Sequence, residues 1–299
     1  LTRNQEIKSI PAKSFRHSTH DAGEGKPGET NYVEFLVNSA THHRILFFTD
    51  MGNCYGILGK DIPQGKWKEK GVPLAQLFRG LDSREKVVGV IPVSGFQDSR
   101  YVQFYTEGGL VKRTALSEYD SRKTKLKACG LRKGDRILSA EYSDGSADVM
   151  IVTSNGMSLR FRGSEVKPMG RTATGVKAIQ LKKNDRVVFA QQVEKDGELI
   201  VLTDRGFAKR SSIADYERQG RGGIGFRTIT FARNRSNGRE ILRAFYRKES
   251  YDVILIQKDG TTTKLEPDQL SMETRAARGQ SVAMVLMDNE IQFAYRNYE

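Results

Sequence analysis

The residues best suited to chemistry in this chain form a glycine-rich loop, Gln219-Gly220-Arg221-Gly222-Gly223-Ile224-Gly225. Glycines placed together let backbone N–H groups approach an anion closely, and an arginine can hold a phosphate through two donors. The chemistry this spacing suits is phosphate binding; a flexible connector is the alternative. Around it stand further cations at comparable loop or strand-entry positions, Arg171, Lys177, Arg218 and Arg227. The densest cluster is Lys123, Lys125, Lys127, Arg132 and Lys133. Other chemistries find less support. Residues 220–225 also satisfy G-x-G-x-x-G, but that fingerprint has meaning only between a strand and a helix, and here FRTITF follows, which reads as a strand. His17-x-x-His20 has no nearby residues to complete a metal site, and Cys54 and Cys129 are far apart. Asp144 and Asp148 fall where hairpin loops favour Asp. No catalytic residue is assigned.

The elements that must position these cations recur. Five segments share one plan of apolar strand, tight turn and second strand: 45–57, 102–114, 149–161, 199–211 and 253–265. Their turn glycines are assigned as Gly52, Gly108, Gly156, Gly206 and Gly260, about fifty residues apart, because a tight hairpin needs positive φ. A second glycine follows 19 residues later at Gly71, Gly175, Gly225 and Gly279, and 22 residues later at Gly130. A third apolar stretch then closes each repeat: 87–93, 136–142, 187–193, 241–247 and 291–296. The opening residues with YVEFLV (32–37) read as a sixth, degraded copy lacking the turn glycine. Short helical turns are expected near Pro73–Phe78 and Ser211–Tyr216. Lys112–Arg113, Lys209–Arg210, Arg160 and Arg162 fall on the second strands of their hairpins. Units this small cannot each bury a core, but arranged radially they can. The expected fold is all-β, one disc spanning 1–299 with repeats near 1–43, 44–99, 100–146, 147–197, 198–250 and 251–299.

Charge is unevenly spread along these repeats. The 299 residues carry a formal net charge of +13. Residues 1–38 net zero, and residues 251–299 hold five Lys/Arg against eight Asp/Glu. Residues 109–137 hold nine against three, 147–193 eight against three, and 205–247 eleven against three. Charge serving solubility alone has no reason to leave both ends neutral or acidic, so the arc points to a polyanionic partner. No run reaches the ~18 apolar residues of a membrane span, so no membrane partner is expected. The cysteine usage fits a reducing cytoplasm.

The loop at 219–225 resembles the box of the DNA gyrase A protein, Gln-[Arg/Lys]-Arg-Gly-Gly-[Arg/Lys]-Gly. It matches at Gln219, Arg221, Gly222, Gly223 and Gly225 and departs at Gly220 and Ile224. MGRTATGVKAIQL (169–181) resembles the equivalent loop and strand of another blade, and with the T-x-x-G hairpins the resemblance covers essentially the whole chain. It implies a six-bladed β-pinwheel, a propeller-like disc whose neighbouring repeats exchange a strand and whose basic rim bends DNA. The region corresponding to the intact gyrase box, Asp21–Thr30, is acidic and lacks it, so the topoisomerase IV branch is the better match. The resemblance further implies no catalysis and no cofactor in this domain. ATP would act on the B subunit of topoisomerase IV, and magnesium with the cleaving tyrosine in the N-terminal breakage domain. A nucleoid-associated, cytoplasmic location follows. Double-stranded DNA is the expected ligand, contacted without sequence preference through the cations named above. The alternatives are a gyrase domain with a degenerate box, or a scaffold that docks proteins.

Overall fold

The structure is a computed structural model that describes residues 1–18, 28–97 and 99–298. His20 and most of the acidic stretch 21–30 lie outside them.

Each hairpin begins with a strand whose two faces are both largely apolar, because both faces of its sheet are covered, by a neighbouring sheet or, for the first hairpin, by the opening segment and the turn at Leu74. In the first, Leu46 and Phe48 face one core with Val102 and Phe104, while Ile45 and Phe47 face another with Leu74 and Phe78. The T-x-x-G signature has a local cause. The threonine hydroxyl ending the first strand accepts the N–H of the residue after the turn glycine, at 3.1–3.3 Å for Thr49, Thr106, Thr153 and Thr203. In the second hairpin the left-handed residue is Gly109 (φ +81°), not Gly108. Its side chain would meet Ile179, so Gly109 is the true equivalent of Gly52, Gly156 and Gly206.

Among the described residues the strands assemble into five blades. Blade 1 comprises 87–93, 44–49, 53–58 and 125–127 in spatial order; blade 2 comprises 137–143, 101–106, 110–115 and 176–177. Blade 3 comprises 187–193, 148–153, 157–162 and 226–227; blade 4 comprises 241–247, 198–203, 207–212 and 280–281. Blade 5 has three strands, 291–296, 253–257 and 262–265. The pairings between these strands are antiparallel. The inner strands of blades 1 to 4 pack against one another in sequence, and the outermost strand of each four-stranded sheet comes from the following repeat. Gly130 does not match the second glycines of the other repeats. It lies beyond the exchanged strand 125–127, whereas Gly175, Gly225 and Gly279 precede theirs.

The expected count of six blades is corrected to five among the described residues. The degraded first copy has no T-x-x-G turn and builds no sheet of its own. Instead Glu6–Ile7 pairs with Val72–Pro73, Ala12–Ser18 forms a short helix, and 34–40 carries no regular structure. This segment joins the two ends of the ring. Toward blade 1, Gln5 accepts the N–H of Val87 (3.0 Å) and donates to the carbonyl of Glu85 (2.8 Å). Toward blade 5, the Tyr32 ring stacks on Tyr295 with centroids 3.8 Å apart, and the Arg3 guanidinium lies 4.2 Å from the centre of Phe293.

Near the axis, blades 2 and 3 share a polar network. Gln103 donates to the Tyr105 hydroxyl (2.6 Å), which donates to Glu141 (2.6 Å), and Glu141 also accepts the N–H of Gln192 (2.7 Å). Burial outweighs these bonds and pushes the Glu141 carboxyl up to about 7. The folded state therefore holds a proton that the unfolded chain releases near pH 4.5, so stability from this group is complete at low pH and is lost as pH rises through about 7.

Two measurements check this account. Tyr32→Ala removes a buried stacked ring from the closure and is expected to lower stability by about 3 kcal/mol in chemical denaturation. Glu141→Gln keeps an acceptor and removes the charge. It is expected to stabilise the protein by about 1–3 kcal/mol at about pH 8 and to change little at about pH 4.5.

Candidate nucleic-acid interface

The exchanged strands set a row of cations at equivalent places. Lys127 pairs with Asn53, Lys177 with Leu110 and Arg227 with Met157, in each case the residue directly after the turn glycine. All three are exposed. The fourth member of the row is Ser281, opposite Phe207. Beyond each exchanged strand, the chain crosses to the inner strand of the next blade and exposes a second set, Arg132 and Lys133, Lys182 and Lys183, and Arg233 and Arg235. The sequence pattern pointed to the first pair and not to the other four. Counting five and six residues past Lys177 and six past Arg227 would have found Lys182, Lys183 and Arg233.

The glycine-rich loop does something other than cradle an anion with its backbone. The Arg221 N–H goes to Glu165 (2.9 Å), that of Gly222 to the carbonyl of Ala178 (2.8 Å), and that of Gly223 to Gly220 (3.3 Å). Gln219 is half-buried, and its N–H goes to the carbonyl of Arg160 (2.8 Å). The Arg221 guanidinium donates to the carbonyl of Lys177. The same latch recurs. The Arg171 N–H goes to Glu118 (2.7 Å) and its guanidinium to the carbonyl of Lys127 (2.5 Å), and Arg275 donates to the carbonyl of Arg227. Each latch seats a loop on the previous exchanged strand, at the residue whose own side chain forms the outer row. Gly225 (φ +75°) lets this loop lie directly on the Ser158 carbonyl, where any side chain would collide.

Several other candidates are turned inward, which revises the expectation that they face a ligand. Lys112 is buried and donates to the carbonyls of Ala128 (2.7 Å) and Arg171. Lys209 is buried and donates to Ser211 (2.8 Å) and to the carbonyls of Thr274 (3.3 Å) and Arg275 (2.6 Å). Burial lowers both ammonium groups to about 8. Arg113 is buried against the Tyr101 ring (4.8 Å) and donates to the carbonyl of Gly145 (3.3 Å). Arg160 pairs with Asp148 (2.7 Å) and donates to the carbonyls of Ile213 and Tyr216 in the next repeat. One repeat on, Arg210 does the same with Glu198 (2.6 Å) and the carbonyls of Pro267, Asp268 and Leu270. The hairpin signature could not show this, because a strand residue's direction depends on which face the next repeat covers.

The remaining candidates stay at the surface. Arg218 is half-exposed beside Asp148 (2.8 Å). Lys123 is exposed, and Lys125 lies 5.2 Å from the centre of the Tyr55 ring and 3.9 Å from Glu85. Arg162 is exposed. Among the described residues, no group of three or more His, Cys, Asp or Glu side chains could hold a metal ion, and no helix is long and apolar enough to cross a membrane.

A family model described as the DNA gyrase C-terminal domain, beta-propeller, matches residues 43–94, 104–143, 147–194 and 197–234, more than half of the chain. The chain belongs to this family. Among curated relatives it is similar to the gyrase A protein of Halalkalibacterium halodurans, 36% identical over 181 residues covering 59% of this chain and 22% of that protein. The gyrase A protein of Staphylococcus aureus strain NCTC 8325 is 33% identical over 183 residues, 59% of this chain and 20% of that protein. The chain thus spans about a fifth of the length of these relatives. Among solved structures, the C-terminal domain of DNA topoisomerase IV superposes with a TM-score of 0.86 at 24% identity, covering 99% of this chain and 91% of that one. The DNA gyrase A C-terminal domain gives 0.71 at 18% identity, covering 99% and 97%. The E. coli ParC C-terminal domain gives 0.61 at 15%, covering 86% and 99%. At these identities the structural likeness concerns the fold.

The division between inward and outward cations predicts two separable phenotypes. Arg160→Ala strips a buried carboxylate of its nearer partner and is expected to cost about 3–5 kcal/mol of stability. Lys177→Ala is expected to stay within about 0.5 kcal/mol. Denaturation of both variants checks the contrast.

Proposed function

We propose that this chain is a non-catalytic module of the DNA-cleaving subunit of a type II topoisomerase, and that it binds and bends double-stranded DNA without sequence preference. The observation that carries the reading is the double row of exposed cations at equivalent positions of successive blades, Lys127, Lys177 and Arg227 with Arg132, Lys133, Lys182, Lys183, Arg233 and Arg235. A rim of repeated cations grips phosphates, which position a duplex without reading bases. Smooth bending of a 20–30 bp stretch by 40–90° costs roughly 1–6 kcal/mol, which several phosphate contacts can offset.

Within the family, we favour a topoisomerase IV role, in which the module presents the transported segment for ATP-dependent strand passage. The box departs from the gyrase pattern at Gly220 and Ile224, and the stretch 21–30 carries no intact copy of it. The B subunit and the N-terminal breakage domain are then its partners in a cytoplasmic, nucleoid-associated enzyme, with ATP and magnesium used there. The gyrase reading is favoured by the 36% identity to a gyrase A protein. Chiral wrapping of DNA by the full-length enzyme would select gyrase, and its absence topoisomerase IV.

The test is energy transfer between the ends of a random-sequence duplex of about 40 bp, a little longer than the stretch usually bent. Transfer is expected to rise on binding and to collapse with salt, with affinity falling about 10³–10⁵-fold between 50 and 200 mM for six to ten contacts. Replacing Lys127, Lys177 and Arg227 with Ala is expected to flatten the plot of log affinity against log salt by about 0.9 per residue. Binding without a rise in transfer would remove the bending role, and absence of binding would remove the nucleic-acid role.

A further inference from the structure

The cation series stops at one identifiable place. Counted from the exchanged strand, the residues five and six positions on are Arg132 and Lys133, then Lys182 and Lys183, then Ala232 and Arg233, but after Ser281 they are Leu286 and Met287. These two side chains are 64% and 88% exposed, and Met284 beside them 77%. The loop is held firmly. Arg205 donates to the carbonyls of Val285 (3.3 Å) and Met287, Gln257 donates to that of Met284 (3.2 Å), and the Asn289 N–H goes to Leu286 (3.0 Å). The guanidinium of Arg205, at the hairpin turn of blade 4, is therefore occupied by backbone. Two exposed carboxylates adjoin the loop, Asp288 within it and Asp259, whose N–H is tied to Asn289 (2.9 Å).

We propose that this loop ends the DNA track, so that a bound duplex leaves the disc at blade 4 and does not continue onto blade 5. The inference rests on the DNA-binding reading above and adds the extent of the contact. Phosphates passing this loop would meet apolar groups that release no counterions and carboxylates that repel them. The acidic excess of residues 251–299 extends the same barrier beyond it.

The experiment exchanges the two surfaces. One variant carries Leu286→Lys with Met287→Lys, the reciprocal variant Lys182→Leu with Lys183→Met, and a third places lysines elsewhere, Leu36→Lys with Val37→Lys. Affinity is measured by anisotropy on random-sequence duplexes from about 15 to about 60 bp, bracketing the usual bent length. Wild-type affinity is expected to stop increasing at a defined duplex length. L286K with M287K moves that plateau to longer duplexes and steepens the salt dependence by about 2, at about 0.9 per contact. The reciprocal variant moves it to shorter duplexes, and the third variant leaves the length unchanged. A wild type that binds DNA while L286K with M287K leaves the plateau in place would overturn the track end alone. Absence of wild-type binding would overturn the DNA reading, and the track end with it.

Discussion

A sheet covered on both faces still has one long edge to satisfy, and in blades 1 to 4 the following repeat supplies the missing strand. Two or three residues suffice: 125–127, 176–177, 226–227 and 280–281. Their hydrogen bonds close an edge that would otherwise offer unpaired backbone to other chains. The same residues tie one repeat to the next, so none of these four blades is complete without its successor. The arginine latches extend this dependence, because Arg171, Arg221 and Arg275 each fasten a loop to the strand handed over one repeat earlier.

This handover also sorts the charge. Arg160 and Arg210 sit on strands that the next repeat covers, so they pair with Asp148 and Glu198 and satisfy the carbonyl ends of the next short helical turn. Lys112 and Lys209 do similar work by donating to backbone carbonyls, and burial lowers both to about 8. The handed-over strand is the outermost of its sheet. Its cation is exposed at Lys127, Lys177 and Arg227, with Lys127 also reaching the carbonyl of Met51 at 3.2 Å, and its carbonyl is taken by the next latch. Structural and surface cations therefore alternate along the chain while separating cleanly in space. In the first blade the position equivalent to Arg160 and Arg210, four residues past the turn glycine, is Gly56, and the Arg44 side chain from the neighbouring strand fills the space it leaves and reaches the carbonyl of Lys123 at 3.5 Å.

Ring closure uses a different device. The last blade has no successor, and the first copy of the repeat contributes no sheet. The opening segment instead bridges the ends with aromatic stacking at Tyr32 and Tyr295, a cation over Phe293, and the side-chain amide of Gln5. Five blades joined by such a segment need no sixth sheet, because side chains cover the faces that sheet would have covered.

The repeat, its all-β character and the basic arc between neutral and acidic ends are legible in the residues alone. These are local properties: threonine and glycine at a turn, apolar alternation along a strand, and charge counted per repeat. The helical turns near Leu74 and Ile213 were legible for the same reason. The blade number, the true turn residue Gly109 and the fate of each cation were decided only by tertiary structure. Lys112 and Lys177 look alike as basic residues of a β-repeat, yet one is enclosed by a neighbouring repeat and the other rides on the outermost strand. Spacing within one repeat does not encode which face its neighbour will cover, and that covering decides whether a positive charge stabilises a carbonyl or faces solvent.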